Sequence, residues 1–314
     1  MLGGMRPVLL TWIGLAGLLC GCGGAGQPFV TPQRLDKGLV IVLTGIHGRL
    51  WLSESICQGL AQGGVDEAVE LYDWTYHGHW LPFYNLGAIE RNHRMAGQVA
   101  SHVVQYQQEH PGKPVTLVGY SGGGPLAVWT AEALPEDVKV SGLILLSTPL
   151  VPEYDLRPAL SASRKGIVNF YSRGDRIYLS MGTLIFGTMD KRHRISAGNL
   201  GFFDPRRDRA PRGTALPASC PSADLVYDRL YQVPWRREMA RYGYDGTHLT
   251  IGAKDFVAAF IAPLIRADGW DAELVAKLPQ PLSSSRPAAS ATATQAVSPG
   301  GPSKPAATSI PLHD

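Results

Sequence analysis

Cysteine is scarce, with four residues in a chain of 314, at positions 20, 22, 57 and 220. Four are too few for a disulfide framework to hold a chain of this length together. An excess of one charge sign is lacking too: 29 basic residues face 26 acidic ones for a net +3, which gives no case for nucleic acid as the main partner. No apolar run reaches the roughly 20 residues that a bilayer-spanning helix needs. The 36 glycines keep no three-residue period and no heptad persists, which excludes collagen-like and coiled-coil chains, and no internal repeat is visible. What is present is 45% hydrophobic against 18% charged, the balance of a globular chain with one large domain or two small ones.

The two ends differ from the middle. Residues 1–26 carry Arg6, an apolar stretch from Val8 to Leu19 and then Cys20-Gly21-Cys22-Gly23-Gly24, the pattern of a secretory signal with small residues at its end. Leu19-Cys20-Gly21-Cys22 resembles the bacterial lipobox, which implies lipidation at Cys22, although Cys20 fills a slot that usually holds Ala or Ser. Lipid anchoring and plain secretion both place the folded part outside the cytoplasm, where Cys57 and Cys220 either bridge or stay as small apolar residues. Residues 27–37 are read as a linker. Residues 278–314 form a Pro/Ala/Ser/Thr tract without apolar period, expected to be a disordered tail because it buries too little surface to offset chain entropy.

Across the intervening domain, residues 38–277, short β-branched runs alternate with longer helical ones, which argues an α/β fold with a mostly parallel sheet flanked by helices. The strand candidates are Leu39–Leu43, Ala68–Tyr72, Val115–Val118, Val140–Leu146, Ile167–Tyr171 and a last one within Leu225–Val233. Helices are expected over Ser53–Gln62, Ile89–Gln107, Leu126–Leu134 and Ala253–Arg266, with Pro263 kinking or shortening the last. The stretch from Ile177 to Asp224 reads as long, glycine-rich and irregular.

Chemistry concentrates at Gly119-Tyr120-Ser121-Gly122-Gly123, where a strand hands over to a helix. A sharp turn there lifts the serine hydroxyl above the sheet edge, and the residues two before and two after it, Gly119 and Gly123, must be small. The helix behind Ser121 aims unpaired N–H groups at the place where negative charge develops. The plainer reading is a glycine-rich turn with an incidental serine.

In these residues the chain resembles the α/β-hydrolase superfamily over roughly Gly38 to Arg266. The resemblance implies a triad in the order serine, acid, histidine. Asp175, after the strand Ile167–Tyr171 and a short polar turn, fits the acid, and His248, ahead of the final helix, fits the histidine. Asp204, Asp228 and Asp245 are rivals with poorer strand contexts, and His77 and His79 precede the serine, against the family order. By similarity the oxyanion donors are the N–H of Gly122 and one from Thr44-Gly45-Ile46-His47-Gly48, where aligning on Gly45 gives Ile46. Thr44 replaces the frequent histidine of that loop, which leaves the choice between Ile46 and His47 open, and Gly45 and Gly48 also read as ordinary turn glycines. No large lid fits after the family's sixth strand, between residues 146 and 167.

Other signals point less far. His77-x-His79 with Trp74 and Trp80 reads as a cleft wall, as packing or as half of a metal site, and two histidines are not a site. Lys191–Arg194 and Arg206–Arg209 make basic loops suited to solvent or to anionic head groups. The Lys-Ser/Thr pair of a P-loop is missing from GYSGGG. The expectation is an extracytoplasmic serine hydrolase that cleaves a carboxylic ester or related acyl bond through an acyl-enzyme on Ser121. It needs no cofactor and no metal, acts on a small-molecule or lipid acyl substrate, and meets the membrane through its N-terminal lipid. Acyltransferases and peptidases use the same triad, and hydrolase folds without activity serve as binding or scaffold modules.

Overall fold

A run of aliphatic residues that is apolar at every position needs cover on both faces, which a central parallel strand receives and an edge strand does not. A computed structural model, which describes residues 27–175, 187–208 and 224–279, uses these runs in that way. β1 (Leu39–Leu43), β3 (Val115–Tyr120) and β4 (Gly142–Leu146) are buried throughout. β2 (Ala68–Tyr72), β5 (Ile167–Tyr171) and β6 (Leu230–Pro234) complete a six-stranded sheet, order β2-β1-β3-β4-β5-β6, parallel at every pairing.

Alternation along the strands splits the core in two. Val40, Val42, Val118 and Ile144 pack with Ile56 and Leu60 of the helix Trp51–Gln62 and with Phe256 and Phe260 near the end of the domain. Leu39, Ile41, Leu43 and Leu117 face the other way, onto Ala96, Val99 and Val103 of the helix Ile89–Glu109 and Leu126 and Val128 of the helix Gly123–Glu132. Each fully buried Leu, Ile or Val contributes roughly 1.5–3 kcal/mol, so the two faces hold the sheet rigid beneath its loops.

Chain order decides where a ligand fits. The path runs from β1 outward to β2, then returns to place β3 on the other side of β1. The crevice between the carboxyl ends of β1 and β3 is therefore a topological switch point, the place where open α/β sheets bind ligands.

Several boundaries differ from the sequence expectation, for physical reasons. Leu225–Arg229 forms a 3₁₀ turn and the last strand begins only at Leu230. The helix after Ser121 begins at Gly123, because three small residues let it start directly at the turn. Pro263 does not end its helix. It opens the α-helical segment Ala262–Arg266, behind a π-helical turn at Val257–Ile261 that widens the helix where the proline offers no N–H. Residues 27–37, expected as a linker, lie against the edge strand: Val69 N–H donates to the Phe29 carbonyl at 3.1 Å, and Arg34 reaches the Val65 carbonyl at 2.7 Å. Leu278, expected at the head of the tail, is buried and its carbonyl accepts from Arg236 at 2.9 Å.

The chain separates into two units, Met1–Leu282 and Ser283–Asp314, and every described residue belongs to the first. Cys20, Cys22, Cys220 and the tail from residue 280 lie outside the described residues. No helix among the described residues is long and apolar enough to cross a membrane.

Candidate active site

Leu43 at the end of β1 stands opposite Gly119 of β3. Two residues on, Gly45 and Ser121 come side by side, and a Cβ on Gly45 would lie 3.4 Å from that of Ser121. One further on, Ile46 meets Gly122, whose Cβ position is 3.2 Å from the Ile46 nitrogen. Parallel register thus aligns two loops on one corner.

Ser121 sits at φ +50°, in the left-handed region that L-residues other than Asn and Asp rarely adopt. Its N–H donates to the Leu146 carbonyl at 2.9 Å, and its carbonyl accepts from Gly124 N–H at 2.8 Å, which pins the reversal from both sides. A Cβ on Gly119 would strike the Gly123 carbonyl, and one on Gly123 the Leu43 carbonyl. Only glycine fits either place. The helix Gly123–Glu132 is capped by Gly122 without a side-chain bond, so its first N–H groups and positive dipole end are left at the Ser121 corner.

The other two residues arrive from the ends of β5 and β6. His248 Nε2 lies 2.8 Å from Ser121 Oγ, and its Nδ1 lies 2.7 Å from Asp175 Oδ2. All three side chains are buried, with Ser121 8%, His248 6% and Asp175 2% exposed. The turn that carries Asp175 is closed by Gly174 N–H donating to Ser172 Oγ (3.1 Å) and by Asn199, whose Nδ2 donates to the carbonyls of Ser172 (3.0 Å) and Asp175 (3.2 Å). The histidine loop is shaped by Asp245, which accepts from Thr247 N–H at 3.0 Å and from the Thr247 and Thr250 hydroxyls. The Thr250 hydroxyl, more than any other group, holds the Asp245 carboxyl below the usual carboxylate range. Of the rival acids, Asp245 thus serves its own loop, while Asp204 and Asp228 pair with Arg206.

Between the two candidates left open after β1, it is Ile46 whose nitrogen lies beside Gly122. Neither of these N–H groups is spent on a hydrogen-bond acceptor among the described residues. Asn85 is buried, with no exposed surface, and ties this loop to the next: it donates to the Ile46 carbonyl at 3.0 Å and accepts from Tyr76 N–H at 2.8 Å. Trp74, equally buried, donates through Nε1 to the Thr44 carbonyl at 2.6 Å.

Sequence reasoning missed Asn85 and Asn199. Each is a single amide inside an otherwise ordinary stretch, and only the tertiary structure gives it carbonyls to bridge, three for Asn85 and two for Asn199. His77 stands at φ +52° and packs its ring edge-on to Tyr76, with centroids 4.1 Å apart. Among the described residues no group of three His, Cys, Asp or Glu is placed to hold a metal. The basic loops are partly neutralised, Arg194 by Glu153 at 3.0 Å and Arg206 by Asp204 and Asp228. Cys57 is a buried free thiol.

Residues 35–176 match a family model described as serine aminopeptidase, S33. The fold is the α/β-hydrolase fold. The match spans Ile46, Ser121 and Asp175, so the place of His248 in this hydrolase fold rests on geometry. A segment of 120 residues is 31% identical to monoglyceride lipase from Homo sapiens, covering 38% of this chain and 37% of that protein. The chain thus spans little more than a third of that relative. Among solved structures, Aspergillus fumigatus lipase B shares 13% identity over 76% of this chain and 54% of its own, with a TM-score of 0.42. Esterase PE8 shares 14% over 72% of this chain and 91% of its own, with a TM-score of 0.39.

Proposed function

We propose that this chain is a serine hydrolase that cleaves a carboxylic ester through an acyl-enzyme on Ser121. The observation that carries the reading is the continuous hydrogen-bonded chain from Ser121 Oγ through the His248 ring to Asp175, 2.8 and 2.7 Å, at a serine held in left-handed backbone. An Asp175 carboxylate accepts the Nδ1 proton of His248, so that the Nε2 lone pair faces Ser121 Oγ as the proton acceptor. Ser121 Oγ attacks the ester carbonyl and His248 takes its proton. The tetrahedral oxyanion then sits between the N–H groups of Gly122 and Ile46, aided by the helix dipole behind Ser121. Collapse expels the alcohol, which leaves with the proton from His248, and a water activated by the same imidazole releases the acid.

The ester reading is supported by the local identity to a monoglyceride lipase, and the S33 description keeps amides in the test. Hydrolysis of acyl esters of graded chain length, a thioester and aminoacyl amides is compared in wild type, His248→Ala and Asp175→Asn. Ester turnover that falls by about 10³ or more in both variants supports the assignment, and rates within a few-fold of wild type overturn it. Amide cleavage outrunning ester cleavage overturns the substrate class while leaving the serine chemistry in place.

The working location proposed is the cell envelope outside the cytoplasm, with the chain held by a lipid on Cys22. The signal-like residues 1–26 support this reading.

A further inference from the structure

Seven of the ten exposed large apolar side chains among the described residues fall between Leu50 and Tyr84, and an eighth, Leu249, follows the site histidine. Trp51 is 67% exposed, Trp80 77% and Phe83 62%. Single exposed leucines are ordinary on any surface, whereas aromatic rings gathered around one site are not.

These side chains are built onto loops that belong to the site. Arg49 N–H donates to Asp73 at 3.0 Å, and Asn85 donates to the carbonyls of Ile46 (3.0 Å) and Gly78 (3.3 Å). Trp51 starts the helix that follows the Ile46 loop, and Trp80, Leu81, Phe83 and Tyr84 lie in the stretch that Asn85 fastens to it. Leu249 adds an exposed apolar side chain on the histidine loop, next to the His248 that meets Ser121.

We propose that this rim seats in the surface of a lipid bilayer, so that the Ser121 site meets acyl esters presented there. The substrate half of this statement rests on the proposed Ser121 chemistry, and the docking half rests on the exposed rim and the proposed N-terminal anchor instead. Trp and Tyr pair an apolar body with a polar N–H or O–H, which suits the boundary between head groups and hydrocarbon. The N-terminal part of the chain leads to the same end of the sheet. Gln27 exchanges hydrogen bonds with Leu71 near the end of β2 (2.7 and 3.3 Å) and lines a 170 Å³ cavity with Arg49 and Glu54, two and three residues from Trp51. Cys22, the proposed lipid site, stands five residues before Gln27. A bilayer that holds that lipid lies within roughly 18 Å of Gln27, the reach of five extended residues.

The test uses the full chain and vesicles of phosphatidylethanolamine and phosphatidylglycerol, with brominated lipid as a local quencher of indole fluorescence. Trp12 lies in residues 1–26 and other tryptophans lie elsewhere in the chain, so the Trp51 signal is read as the difference between wild type and Trp51→Phe. Docking predicts that brominated lipid quenches this difference signal. A bound protein whose Trp51 component stays unquenched overturns it. Partitioning of Trp51→Ser/Phe83→Ser is expected to fall about tenfold or more, against less than twofold for Leu225→Ser, an exposed leucine remote in sequence from the rim. Equal partitioning of the two variants, or a rim variant that changes only self-association, overturns the proposal. Turnover of a water-soluble short-chain ester stays at the wild-type rate in the rim variant. If instead no protein turns over any ester while Trp51 is quenched, the proposed function fails and the docking surface stands.

Discussion

At φ +50°, Ser121 stores roughly 1–2 kcal/mol of backbone strain that glycine would not carry. Ser121→Gly is therefore expected to melt at or above the wild-type temperature while ester turnover falls by about 10⁴ or more. A variant that is clearly less stable would show that the surrounding turn, and not the residue, bears the strain. Cys57 gives a second test at this scale. Burial pushes its thiol up to about 12, so folded protein at pH 8 is expected to resist iodoacetamide at Cys57 until denaturant is added. Rapid modification of the native protein would contradict that burial. Gly119, Ser121 and Gly123 were legible in the sequence because a turn this tight tolerates few residue types. Asn85 and Asn199 were not, since an amide that bridges carbonyls has no spacing signature.

Elements were legible where periodicity was strong and blurred where tertiary packing chose the boundary. The five-residue apolar run of β1 and the spaced small residues of Ile89–Glu109 announced themselves. The π-helical turn before Pro263 did not, because only the need to continue a buried helix past a proline calls for it. The helix Gly123–Glu132 also ends on a testable charge. Burial lifts the Glu132 carboxyl to about 7, against the lowering effect of the Tyr154 hydroxyl bond, and Asp155 adds to the rise. A carboxyl whose folded pKa lies above its unfolded value of 4.5 favours the folded state below that value and loses this contribution as pH rises through 7. Glu132→Gln is accordingly expected to raise the melting temperature at pH 8 and leave it unchanged near pH 4. A stabilisation that is larger at pH 4 would contradict the assignment.

At the scale of the whole molecule, a parallel sheet gathers residues that are 54 and 73 positions apart, Ser121 to Asp175 and Asp175 to His248, at one carboxyl edge. Strand order alone decides which loops meet there. That convergence was readable only through the family resemblance, since no local pattern links an aspartate after β5 to a histidine after β6. The proposed anchor belongs to this scale as well: Cys22→Ala is expected to abolish incorporation of labelled fatty acid, and unchanged labelling would refute lipidation at that position. The central claim is the nucleophilic serine, and the most direct measurement is fluorophosphonate labelling of the intact protein followed by peptide mapping. One adduct is expected, on Ser121, absent from Ser121→Ala and strongly slowed in His248→Ala. Labelling of wild type no faster than of Ser121→Ala, or an adduct on another residue, would contradict it.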